Sequence, residues 1–145
     1  METRRIMLIY IAGPYTADTT YRVKMNILAA EYRAIEVMKT GMNMYPVCPH
    51  KNTEFMEGLR DGDYFIQGTK ELMLRCDAVL LVDTDCANSV GTQGEIAAAK
   101  EAGIPVFNSL LDLRAWCNNE DMKPKQVPFM ERIRKHFTNR IYSEK

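Results

Sequence analysis

Six consecutive residues, Ile6-Met7-Leu8-Ile9-Tyr10-Ile11, are apolar without interruption. A strand with one wet face alternates apolar and polar side chains. An unbroken run instead demands cover on both faces, as in a parallel sheet held between helices. Ala12-Gly13-Pro14-Tyr15 breaks the run, and the chain then alternates helical and strand patterns. Val23, Ile27, Ala30, Ala34, Val37 and Met38 form one stripe and predict a helix over 20–39, with Gly41 as its stop. Residues 42–48 read as a second strand ending between Pro46 and Pro49, and the polar, Gly-containing stretch 50–63 as a mobile loop. A helix over about 64–75, a strand at 78–82 and a loop at 83–91 follow. Next come an Ala-rich helix over 92–102 stopped by Gly103, and a strand at 104–107. A short helix is expected around 112–117. Phe129, Ile133, Phe137 and Ile141 recur every four residues in a final amphipathic helix over about 128–141.

This order implies an α/β fold: a three-layer, flavodoxin-like or Rossmann-like doubly wound parallel sheet of four to five strands with right-handed crossovers. The 145 residues suit a single domain, with its core at about 6–118. In such sheets the ligand crevice lies beyond the carboxyl ends of the strands. The Gly13 turn and the loops at 48–63 and 83–91 therefore gather at one edge, where function is expected.

Lys and Arg balance Asp and Glu at 19 each, so no net field recruits polymeric nucleic acid or an anionic membrane. An anionic substrate must be held by local donors. Cys48, Cys76, Cys86 and Cys117 form no C-x-x-C pair and read as reduced thiols of a cytoplasmic protein, without a zinc site or disulfide framework. Residues 1–5 run straight into the first strand, and no apolar run approaches spanning length, so neither a signal peptide nor a membrane anchor is expected.

Ser89-Val90-Gly91-Thr92-Gln93-Gly94-Glu95 joins a strand to a helix. Gly91 would let the backbone turn closely, and the first helical N–H groups would attract an anion. Glu95 then stands in the first turn, facing the crevice. Thr92-x-x-Glu95 also matches a capping box, in which the glutamate only reaches back to the cap N–H, and spacing alone favours the cap. Gly13-Pro14-Tyr15 serves equally as an ordinary connection. No dinucleotide fingerprint or phosphate loop is present. Tyr10, at the end of a buried strand, reads as core packing or as a phenol that orients a carboxylate.

Three pieces together carry a resemblance: Tyr10-Ile11-Ala12-Gly13-Pro14, Arg75-Cys76-Asp77-Ala78, and Ser89-x-Gly91-x-x-x-Glu95. From about residue 6 to 107 the chain resembles the nucleoside 2-deoxyribosyltransferase-like superfamily, which includes deoxynucleoside 5′-monophosphate N-glycosidases. The resemblance implies that Glu95 attacks the anomeric carbon as nucleophile and that Tyr10 hydrogen-bonds it. It also implies that Gly13, Pro14, Tyr15, Ser89 and Gly91 line the nucleotide pocket. Double displacement at an N-glycosidic bond follows, with hydrolysis or transfer to a second base, no cofactor and no metal. In the family, serine six positions before the glutamate goes with 5′-monophosphates and aspartate with nucleosides; Ser89 holds that position. A homodimer or larger homo-oligomer is implied, a neighbouring chain completing each pocket.

The sequence departs from the family at Thr69, where many members carry an aspartate. Threonine cannot act as a general acid near neutral pH. Asp61, Asp63 or Glu71 must replace it, or proton delivery differs, or the chain is a non-catalytic nucleotide sensor. A flavodoxin-like carrier has no positive support in the sequence. Asp83-Thr84-Asp85 reads as solvated loop rather than a metal site, and Asp61-Gly62-Asp63 as a turn. His50 and His136 read as surface histidines, and Trp116 as packing for the late helix.

Overall fold

The computed structural model describes residues 6–85 and 89–119. The expected 128–141 helix, Cys86 and His136 lie outside them. Strand β1 (Met7–Ala12) leads to α1 (Thr20–Lys39), β2 (Met44–Val47) and a short helix, α2 (Pro49–Asn52). Then come α3 (Gly62–Leu74), β3 (Ala78–Leu81), α4 (Val90–Glu101), β4 (Val106–Phe107) and α5 (Leu110–Asn118). The four strands form one all-parallel sheet in the order β2-β1-β3-β4, with Ile9 opposite Pro46 on one side and Ala78 on the other. Pro46 is tolerated because β2 is an edge strand, where a missing N–H costs no ladder bond.

Alternate residues of the apolar strands feed two cores. Ile9 and Ile11 of β1 and Ala78 and Leu80 of β3 pack with Ala30, Ala34 and Val37 of α1 and with Leu113 and Trp116 of α5. Tyr10, Ala12, Val79 and Leu81 face the other way, onto Met73 and Leu74 of α3 and Ala99 of α4. The sheet is thus covered on both faces, giving the three-layer, doubly wound α/β architecture expected from the unbroken first run. Trp116 packs as expected, 5.6 Å from the Phe107 ring.

The order of strands reverses between β1 and β3, so the connections leaving these two strands diverge and open a crevice at their carboxyl ends. Three contacts set that edge. Ala12 O accepts from Val82 N at 2.9 Å. Arg33 reaches from α1 to donate to Leu81 O at 3.0 Å and Asn108 O at 2.9 Å, fixing the ends of β3 and β4. Gly13 lies against Val82 so closely that an added Cβ would sit 2.5 Å from Cγ2 and 3.0 Å from Cβ. Gly13→Ala is therefore expected to destabilise the fold by about 1–3 kcal/mol, the cost of forcing a β-branched neighbour aside. Urea unfolding checks this, and a change too small to resolve would mean that Val82 yields freely.

Asp77 has a different role, at the opposite end of the sheet. Its buried Oδ2 accepts from Leu8 N at 2.8 Å while its own N–H donates to Leu8 O at 2.8 Å, joining the start of β3 to β1. No helix among the described residues is long and apolar enough to cross a membrane. Among the described residues, Cys48, Cys76 and Cys117 form no disulfide.

Candidate active site

The loops after β1, β2 and β3 enclose a pocket of about 640 Å³, within the range of small-molecule sites. Gly13, Pro14, Tyr15, Ser89, Gly91 and Glu95 all line it. Tyr10, the seventh expected residue, does not. It is fully buried in β1, in the core shared with α3 and α4, on the sheet face that carries Glu95.

The start of α4 differs from the sequence expectation. Its N-cap is Ser89, not Thr92: the Ser89 hydroxyl accepts from Thr92 N at 3.1 Å and donates to Thr92 Oγ1 at 2.6 Å. Both residues can cap, and using Ser89 lets the helix begin a turn earlier while burying Thr92. There is accordingly no Thr92–Glu95 capping box. Glu95 stands in the second turn instead of the first, and its carboxylate is released from any capping duty. Gly91 likewise makes no tight turn, since it lies in the first turn of α4 with open space where a side chain would be. Its contribution is room in the pocket.

The Glu95 carboxyl has an unusual environment. Oε2 is buried without a hydrogen-bond partner, and so is the Tyr10 hydroxyl. Burial lifts the Glu95 carboxyl to about 7, against the opposing pulls of the Tyr10 hydroxyl and the Lys70 ammonium. Burial first, and then the Glu95 charge, drive the Tyr10 phenol far above its ordinary value, so it remains a neutral donor. The two groups are near enough to perturb one another, yet no hydrogen bond of acceptable geometry joins them; they are neighbours with a donor and an acceptor to spare. A buried carboxyl titrating near neutrality beside a cavity is the kind of group that active sites use.

His50 is a correction. It is 5% exposed, not a surface residue, and lines the pocket from α2. Nε2–H donates to Pro14 O at 3.0 Å, which leaves Nδ1 as a buried lone pair without a partner. Burial lowers its basicity, so the ring is held neutral. Tyr15 packs on it at 5.8 Å, accepts from Phe55 N through its hydroxyl at 2.9 Å, and receives Asn26 Nδ2 on its carbonyl at 3.0 Å. Tyr15 thereby links the β1 turn to α1 and to the segment after α2.

Thr69 also lines the pocket, with its hydroxyl donating to Ile66 O at 3.1 Å. Its three expected substitutes stand elsewhere. Asp61 caps α3 by accepting from Tyr64 N, Glu71 pairs with Arg75, and Asp63 is an exposed first-turn residue. None of the three lines the pocket, whereas Glu57 and Arg60, which sequence reasoning passed over, do. A histidine just past the end of a parallel strand was a usable signal for His50. Glu57 and Arg60 had none, because a polar loop does not show which side chains turn inward. Asp83 and Asp85 are exposed, as expected for a solvated loop. Among the described residues no group of His, Cys, Asp and Glu is arranged to hold a metal ion. No family model matches the chain, and searches of curated proteins and of solved structures found no match either.

Proposed function

We propose that the protein cleaves or transfers at the N-glycosidic bond of a nucleoside 5′-monophosphate or nucleoside, through a covalent glycosyl-Glu95 intermediate. The observation that carries this reading is the Glu95 carboxyl: buried, unpartnered at Oε2, shifted to about 7, and set in a pocket sized for a small ligand. In the first step a Glu95 oxygen bonds to C1′ as the C1′–N bond breaks; in the second, water or another base takes the sugar. The Tyr10 hydroxyl would orient the nucleophile by donating to the ionised Glu95 carboxylate. The free first-turn amides of α4 favour an anionic group at the 5′ position.

Incubation with a panel of ribo- and 2-deoxyribonucleosides and their 5′-monophosphates, with chromatography of the products, tests the reading. Release of free base is the expected result. Saturable binding without release would favour a nucleotide sensor, the second reading, which draws support from Thr69 in place of an acid in the pocket.

Gly91 gives an independent check on where the ligand lies. Ala is the better helix former by up to about 1 kcal/mol, and nothing obstructs a methyl group there. Gly91→Ala should therefore preserve or raise stability while weakening monophosphate binding several-fold. A stabilised variant with unchanged affinity would place the ligand away from the start of α4.

A further inference from the structure

We propose that Glu57 is the acid–base partner of Glu95, delivering the proton to the departing base and then taking one from the attacking water. The inference rests on the glycosidic reading above and supplies the group that reading lacks.

Glycosidic cleavage by two carboxyl groups needs one on each side of the scissile bond. Among the described residues, Glu57 and Glu95 are the two acidic side chains that line the pocket. They come from different elements: Glu95 from the second turn of α4, Glu57 from the segment between α2 and α3. Thr69, on α3, supplies no acid, and Asp61, Asp63 and Glu71 do not reach the cavity. The segment that bears Glu57 is also held by the site. The Tyr15 hydroxyl accepts the Phe55 N–H at 2.9 Å, two residues before Glu57. Tyr15 is in turn packed on His50, which is tied to Pro14. The segment bearing Glu57 is thus anchored to the β1 turn, and the environments of the two carboxyls differ. Oε2 of Glu95 is buried without a partner, whereas Glu57 is open to water. Exposure lets Glu57 exchange protons with water between the two steps, while Glu95 Oε2 is shielded from it.

The steps balance. As a Glu95 oxygen bonds to C1′, the C1′–N electron pair passes to the base nitrogen, which receives the Glu57 proton. Glu57, now a carboxylate, removes a proton from water as the water oxygen bonds to C1′. The ester bond then returns its electron pair to Glu95, and Glu57 is protonated again.

Leaving-group dependence is the test. Glu57→Gln should reduce base release from nucleoside 5′-monophosphates by about 10²–10⁴-fold, the usual range for a lost general acid. A 4-nitrophenyl 2-deoxyribofuranoside 5-phosphate, whose leaving group needs no proton, should still give a burst of nitrophenolate from the variant. Slow turnover should follow the burst, and azide, a nucleophile that needs no deprotonation, should accelerate it. Asp63→Asn should behave as the parent protein does with both substrates. Equal losses for both leaving groups in Glu57→Gln, or unchanged base release, would overturn the assignment of Glu57 alone. Failure of the parent protein to release base or nitrophenolate would overturn the glycosidic reading itself, and the role of Glu57 with it.

Discussion

Glu95→Gln is expected to lower turnover by on the order of a thousandfold while making the folded protein more stable above neutral pH. The two effects share one cause. Burial raises the carboxyl from 4.5 to about 7, so at pH values between these the folded chain holds a proton that the unfolded chain has released. The resulting stability is fully present below about pH 4.5 and is lost as pH rises through about 7. Above that the folded state carries a buried charge whose cost is at most on the order of 3 kcal/mol, less for the water that reaches it. Glutamine has the same shape and no charge, so parent and variant should be equally stable near pH 4 and diverge in favour of the variant by pH 8. A cap residue would behave oppositely, its loss costing about 0.5–2 kcal/mol at every pH. Urea unfolding at the two pH values, with turnover measured alongside, separates the possibilities. A variant that keeps its activity, or that is uniformly weaker, would remove Glu95 from the chemistry. With the 4-nitrophenyl substrate, whose leaving group needs no proton, kcat/KM of the parent protein should rise through about pH 7 as the nucleophile ionises.

Ser89→Asp should weaken binding of a nucleoside 5′-monophosphate by a hundredfold or more and leave the parent nucleoside nearly unaffected. The structure makes this substitution cleaner than the sequence suggested. Ser89 is the N-cap of α4, and aspartate caps as well as serine, so the helix should start where it does now. What changes is charge. A carboxylate about 4 Å from a phosphate repels it by about 4 kcal/mol at an effective dielectric near 20, and the nucleoside carries nothing to repel. Since the Ser89 hydroxyl donates to Thr92, the α4 amides would carry most of the attraction for phosphate. Ser89→Ala should then cost stability more than monophosphate affinity. Titration calorimetry with paired ligands would contradict the account if both lost affinity equally in Ser89→Asp, or if the parent protein preferred the unphosphorylated form.

How far the sequence carried these conclusions depended on whether a signal was local. The first strand was legible because six apolar residues in succession have one sensible environment, and the helix at 20–39 because its stripe persists for five turns. The pocket's outline followed from topology, as turns after parallel strands must meet at one edge. The beginning of α4 was misread because Ser89 and Thr92 are both competent caps. The choice between them was made by burial of Thr92, a tertiary fact. Gly91 looked like a turn residue and proved to be a vacancy in a helix wall. His50 reads as a surface residue because a single histidine has no periodicity to betray it; its burial, its place in the pocket lining and its bond to Pro14 tie it to the site. An acid is expected at Asp61, Asp63 or Glu71, but the cap of α3 and the Arg75 pair claim two of these, and the acidic residue of that region that lines the pocket is Glu57.

The most direct test of the central claim is to trap the glycosyl ester. A 2-fluoro-2-deoxyarabinosyl nucleoside 5′-monophosphate slows both displacement steps by destabilising positive charge at C1′, which lets an intermediate accumulate. Intact-mass spectrometry after brief incubation should show one added fluoro-sugar phosphate per chain, and peptide mapping should place it on Glu95. The adduct should be absent from Glu95→Gln. Release of base from this or the natural substrate with no adduct, or an adduct on another residue, would contradict covalent catalysis by Glu95.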